Sequence, residues 1–348
     1  MPRDRSEGNQ AFLSRRGFVQ VAAAVALDLP FARWFEQWRA LGHRPQAARV
    51  TPFITPNEEF YLVAVDPSFR PAFDPASVES RWSLELVGVD GRRGTLGYSQ
   101  LLARATNQTL YTFECIGNDI GGQLIGNARW HVIPLKSLLA EVPGGVGGTH
   151  SVLFRGLDDF YSSVSAARAL DDYAFLALRM NGAPLPAAHG FPARVILPDL
   201  YGMKQPRWLK SIALQRSPQT TSFWEKRGWA GEVPVKTMSR LDPRDARPSG
   251  QPLELTGIAF AGERGIRAVE VSLDAGENWT RCELLTPGSR DVWSTWRYRW
   301  ERPTAGRYTL EVRAIDGSGT LQTARRHDSY PDGAAGYDRR LLEIVARK

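Results

Sequence analysis

A mixed α+β domain followed by a β-sandwich is the fold class that this 348-residue chain predicts. Three observations lead there. The length matches roughly two domains of about 150 residues each. Between residues 50 and 215, short apolar runs are interspersed with helix-like segments; after residue 248 only short alternating runs and turns remain. Hydrophobic residues make up 43% of the chain and aromatic residues 10%, enough for packed cores and too much for a disordered chain.

Residues 1–48 read as a leader. Ser14-Arg15-Arg16-Gly17-Phe18 precedes a short apolar stretch from Val21 to Leu29, an arrangement of a targeting segment and not of a core helix. The S-R-R-x-F order resembles a twin-arginine export signal, which implies a periplasmic or otherwise exported protein. Asp28 interrupts the apolar run and no clean A-x-A follows, so cleavage stays open.

Residues 49–225 form the expected first domain. Phe60 to Val65 and Trp82 to Val89 read as strands, Asp90-Gly91 as a turn and Tyr98 to Ala105 as a short helix. Leu110 to Cys115 is a strand running into a Gly- and Asn-rich loop. Pro134 opens a helix with Leu135, Leu138 and Leu139 on one face. Strands follow at Ser151–Arg155 and Ala193–Leu197. Ser217 to Pro248 is linker-like. Residues 226–348 then carry strands at Leu253–Phe260, Ala268–Leu273, Arg281–Leu285, Trp296–Trp300, Tyr308–Ile315 and Leu341–Val345, the spacing of an antiparallel sandwich.

Composition removes several kinds of chemistry. Two cysteines exclude a disulfide scaffold and a four-cysteine zinc site, and without C-x-x-C there is no thioredoxin-like or covalent-haem motif. The five histidines stand too far apart for an H-E-x-x-H helix. A net charge of +7 without a basic stripe does not point to nucleic acid. What remains is a thiol, a bound cofactor or ordinary acid–base groups.

Phe113-Glu114-Cys115-Ile116-Gly117-Asn118 places one thiol where a strand meets a loop, followed by Gly121-Gly122 and Gly126-Asn127-Ala128-Arg129-Trp130. Such a thiolate suits a soft or highly charged transition metal. A buried inert cysteine, or a Cys115–Cys282 disulfide in an exported protein, fits the spacing as well. The segment resembles the molybdenum-cysteine loop of the sulfite oxidase family. Met180-Asn181-Gly182-Ala183-Pro184-Leu185-Pro186, His189-Gly190-Phe191-Pro192-Ala193-Arg194, Tyr201-Gly202-Met203-Lys204 and Arg207-Trp208-Leu209 follow in the family's order. The C-terminal strands resemble its immunoglobulin-like dimerisation domain.

The resemblance implies that Cys115 binds molybdenum and that molybdopterin supplies the other sulfur ligands. Arg194, Arg207 and Lys204 are then candidates for the pterin phosphate. His189 and Asp158 match pterin-bonding positions, and Tyr61, Val63 and Val65 match a segment lying along the cofactor. Sulfite oxidases have an arginine where this chain has Val63, a basic residue where it has Asp119, and an active-site tyrosine where the catalytic candidate here is Trp229. Two cations missing from the pocket weaken an anion site by several kcal/mol, at roughly 1.5–3 kcal/mol per charged hydrogen bond. The expectation is a two-electron oxygen-atom-transfer enzyme with an oxo-molybdenum centre that is not an efficient sulfite oxidase. It acts on a small-molecule substrate and exchanges electrons with a separate partner, such as a cytochrome or a quinol-linked membrane subunit. A sulfoxide (protein-repair) reductase and a non-catalytic exported binding protein are the alternatives. A homodimer is implied by the resemblance only.

Overall fold

Alternating burial along short strands, with few and brief helices, shapes the chain in the computed structural model. It describes residues 50–346 apart from 67, 245 and 287, so the expected leader over 1–48 lies outside the described residues. In the first part the strands are β1 (Ser83–Val87), β2 (Arg93–Gly97), β3 (Asn107–Glu114), β4 (Ile125–Pro134), β5 (Ser151–Gly156), β6 (Tyr161–Ser165), β7 (Phe175–Met180), β8 (Ala183–Pro184), β9 (Arg194–Ile196) and β10 (Leu209–Gln215). They form two sheets, ordered β2-β1-β10-β5-β6 and β3-β4-β7-β8, with β9 beside β7. One hydrophobic core joins both sheets; its largest fully buried members include Trp130, Phe113 and Phe154. The helices are α1 (Val78–Arg81), α2 (Tyr98–Arg104), α3 (Leu135–Leu139) and α4 (Ala166–Ala169). α3 follows Pro134 and buries Leu135, Leu138 and Leu139, the face expected from their spacing.

The second part has its own core. Its strands are β11 (Met238–Leu241), β12 (Arg247–Pro248), β13 (Leu253–Phe260), β14 (Ile266–Ser272), β15 (Thr280–Arg281), β16 (Glu283–Leu284), β17 (Ser294–Trp300), β18 (Gly306–Asp316) and β19 (Asp338–Val345). Two sheets, β11-β13-β17-β16 and β12-β19-β18-β14-β15, share one apolar cluster around Leu255, Val271, Trp296 and Val312. Gly257 on β13 is required between its neighbours β11 and β17 in the first of these sheets. A Cβ there would stand 1.9 Å from the Arg240 carbonyl oxygen and 2.7 Å from the Trp296 ring.

Three expectations change. Phe60–Val65 is not a strand. Its polar backbone atoms are met by side chains, since Arg207 donates to the Val63 carbonyl, and the Phe60 ring packs on Trp130 and His189. The linker-like stretch contains β11, which pairs with β13 in the second core. The sandwich is not wholly antiparallel, because β12 runs parallel to β19.

The two parts meet along β3. The Thr112 amide donates to the Asp291 carbonyl, and the Trp293 amide donates to the Thr112 hydroxyl, at 2.8 and 2.9 Å. The Asp199 amide donates to the Asp291 carboxylate at 2.8 Å. Burial pushes the Asp291 carboxyl up to about 7 and the Asp199 carboxyl up to about 6.

Gly257→Ala should lower stability by about 1–3 kcal/mol by overpacking, read from the denaturant midpoint; an unchanged midpoint contradicts the packing. Because the folded carboxyl pKa values are raised, their stabilising contribution is complete below the ordinary carboxylate range and is lost as pH rises through about 6 to 7. Asp291→Asn keeps an acceptor for the Asp199 amide and should flatten the decline in thermal midpoint over that window.

Candidate functional site

The β3–β4 hairpin creates the site. Its strands pair from Asn107↔Val132 to Glu114↔Ile125, so Cys115 is the first residue beyond the ladder. The Cys115 amide donates to the Leu124 carbonyl at 2.9 Å, and its carbonyl accepts from Asn118 at 2.9 Å. Asn118 stitches the loop: its side-chain oxygen accepts from the Leu124 amide and its amide group donates to Glu114, each at 2.9 Å. The tight return depends on glycine, since a Cβ on Gly122 would stand 2.5 Å from the Asn118 side-chain oxygen. Both cysteines are free, which removes the disulfide alternative.

Cys115 is half-buried, and burial pushes its thiol up to about 12. The protein alone therefore disfavours the thiolate, and a metal is the usual agent that removes such a proton. Among the described residues, no group of three or more His, Cys, Asp or Glu side chains gathers as a metal site. A metal at Cys115 would take its remaining donors from a bound group.

Near the thiol lie Tyr61 and Arg207, and Arg194 neighbours both of these. Burial raises the Tyr61 phenol well above its ordinary range, the Cys115 charge adds to this, and the two guanidiniums oppose it. Burial, then the neighbouring Arg207, lowers Arg194 to about 9. Burial lowers Arg207 to about 10, with Asp158 opposing. Arg194 donates to the His189 carbonyl at 3.2 Å and lies 3.9 Å over the Phe113 ring. Its Nε is buried without a hydrogen-bond partner. Arg207 donates to the carbonyls of Ala188 and Val63 at 3.0 and 2.7 Å. Among the described residues, neither guanidinium has a carboxylate at ion-pair distance. Two cations held close with an orphaned donor fit an anionic ligand. Gly190 permits their approach: a Cβ there would press on both arginine side chains at 3.1 Å.

The remaining expected residues divide. His189 is buried, its Nε2 stands 2.9 Å from the Asn57 carbonyl, and burial and then Arg194 hold its pKa down to about 4, so the ring is neutral. Asp158 is half-buried; burial raises its carboxyl and Arg207 pulls it back. Val63 contributes its carbonyl, whereas Val65 is 37% exposed and meets none of these groups. Lys204 is held elsewhere. Its fully buried ammonium donates to Ser222 and pairs with Glu225 at 2.8 Å, which satisfies its charge within the protein. Trp229 packs edge-on against Tyr330 from the second part, with ring centroids 5.3 Å apart.

Glu114 was not singled out by sequence reasoning. It is buried, its carboxyl is pushed up to about 8, and Oε2 has no partner. A carboxylate on a strand that is otherwise apolar at its end was the available signal. Asn57 acts through its carbonyl, which no sequence pattern marks.

Comparison with known proteins agrees with this geometry. The family profile described as the oxidoreductase molybdopterin binding domain matches residues 71–224, and the Mo-co oxidoreductase dimerisation domain matches 234–328. The chain is 29% identical to sulfite oxidase of Gallus gallus over 322 residues, covering 78% of this chain and 68% of that protein. It is 28% identical to the mitochondrial sulfite oxidase of Rattus norvegicus over 320 residues, again 78% of this chain but 57% of the relative's length. Its fold is similar to the sulfane dehydrogenase SoxCD of Paracoccus pantotrophus, with a TM-score of 0.75 at 18% identity, covering 99% of this chain and 96% of that one. With both domain profiles in order, and the cysteine loop, Arg194 and Arg207 within the first, the chain belongs to the sulfite oxidase family of molybdopterin-dependent oxidoreductases, enzymes that use a molybdenum cofactor.

Proposed function

We propose that the protein catalyses a two-electron redox reaction with Cys115 as the protein's ligand to molybdenum. The observation that carries this is a pair of neighbouring guanidiniums, the half-buried Arg207 near the thiol and the buried Arg194 with an orphaned Nε. Arg194 and Arg207 would hold the anionic part of the pterin, with neutral His189 and Asp158 beside them. When bound, the cofactor supplies two-electron chemistry with oxygen-atom transfer. The chain's own share is to fix the thiol, exclude water and set the charge that a substrate meets.

That charge favours a neutral substrate over a dianion. Val63 offers only an apolar side chain, and Arg207 is engaged by two carbonyls. Asp119 adds a carboxylate, held by the Ser329 hydroxyl at 3.2 Å. An S-oxide, an N-oxide or an organic sulfur compound suits such an entrance better than sulfite. Electrons pass to or from a separate carrier, such as a cytochrome or a quinol-linked subunit. Residues 226–348 are read as an immunoglobulin-like domain through which two copies associate, and residues 1–48 as an export leader that sends the protein to the periplasm.

Cys115→Ser should abolish molybdenum retention in a protein that still folds, checked by metal analysis and circular dichroism; full metal content in the variant would remove the thiol from the site. Sulfite turnover should be poor, and Asp119→Arg should raise sulfite kcat/KM by about ten- to hundredfold, the value of a gained charged hydrogen bond. Efficient sulfite turnover by the parent protein would overturn the substrate reading.

A further inference from the structure

The Cys115 loop is held from a direction unconnected with the residues beside the thiol. Arg240, on β11 and only 4% exposed, donates through Nη1 to the Gly122 carbonyl at 3.0 Å. Arg340, on β19, donates through Nη2 to the Gly121 carbonyl at 3.1 Å. Gly121 has φ +70 and lies against Asp338: a Cβ there would stand 2.4 Å from the Asp338 carboxylate and 3.1 Å from Arg340 Nη2. Asp338 in turn accepts from the Leu241 amide at 2.9 Å and from Arg340 Nε at 3.3 Å.

Arg240 is itself tightly placed. Its Nη2 donates to the Thr51 hydroxyl at 2.8 Å, and the Thr51 amide donates to Asp242 at 3.0 Å. A buried guanidinium spread over a loop carbonyl and a hydroxyl is costly to place and has little freedom to move. The loop it grips is short. Gly122 donates back to the Asp119 carbonyl at 2.8 Å, and two residues later the Leu124 carbonyl receives the Cys115 amide at 2.9 Å. A shift of Gly121-Gly122 is therefore passed to the cysteine through the loop's own hydrogen bonds.

We propose that Arg240 and Arg340 are positioning residues for Cys115, so that the second part of the chain sets where the thiol stands. The inference rests on Cys115 being the metal ligand. In this reading the two guanidiniums take the place of second-sphere partners that orient a ligand in a metal site. They act on the loop's carbonyls and not on the sulfur.

The test uses the full-length chain purified without cofactor. Alkylation of Cys115 by iodoacetamide is timed and located by peptide mass mapping. Arg240→Met and Arg340→Met should each accelerate it about tenfold or more, as loss of a charged hydrogen bond frees the loop to open. Arg313→Met, which removes a different arginine pair on β18 of the same sheet as Arg340, should leave the rate unchanged. Unchanged alkylation in both folded loop-facing variants overturns the inference, and so does an equal acceleration in Arg313→Met, which would mark general loosening. If Arg240→Met does not fold, the half-exposed Arg340 still decides the question. Failure of the metal reading is seen separately, as a parent protein without molybdenum.

Discussion

Two neighbouring guanidinium groups, the buried Arg194 and the half-buried Arg207, stand in the first part of the chain with no carboxylate at ion-pair distance among the described residues, and much of the surrounding structure answers to that. Arg194 rests on the faces of Phe113 and Trp130, which lets aromatic quadrupoles offset part of its desolvation. Arg207 is stacked on Trp208 and fastened to two backbone carbonyls. His189 stays neutral because burial, and then the charge of neighbouring Arg194, disfavour its protonated form. The irregular path of Phe60–Val65 follows from the same demand: a regular strand would have spent the Val63 carbonyl on a neighbouring chain. A site shaped to hold positive charge is suited to an anion, and a phosphate-bearing cofactor would balance it.

Much of this was legible from residue order, for reasons that differ by residue. α3 and β19 announce themselves by periodicity, because each buries one face. Cys115 was visible because strand ends and Gly/Asn loops have local signatures. β4 was missed; it is buried on both sides over most of its length and shows no alternation, and its Arg129 and Asn127 disguise it as loop. Lys204 was grouped with the arginines because sequence shows charge but not direction, and Glu225, some twenty residues on, captures it first. The hold of Arg240 and Arg340 on the loop was invisible for a simpler reason: partners more than one hundred residues apart leave no trace in local spacing.

The two parts are therefore not independent modules joined by a connector. β3 takes hydrogen bonds from residues 291–293 only a few positions before the cysteine, and the carboxyls of Asp199 and Asp291 are buried between the parts. Trp229, in the segment between the two profile matches, packs on Tyr330. The two profile matches stop and start between residues 224 and 234, while hydrogen bonds cross that boundary.

The Gly121–Arg340 contact closes a loop of 219 residues. During synthesis the hairpin that carries Cys115 emerges some two hundred residues before Arg340. Long-range closure of this kind comes late in folding. The contact that ties the cysteine loop to the second part therefore cannot form until β19 has been made and has docked.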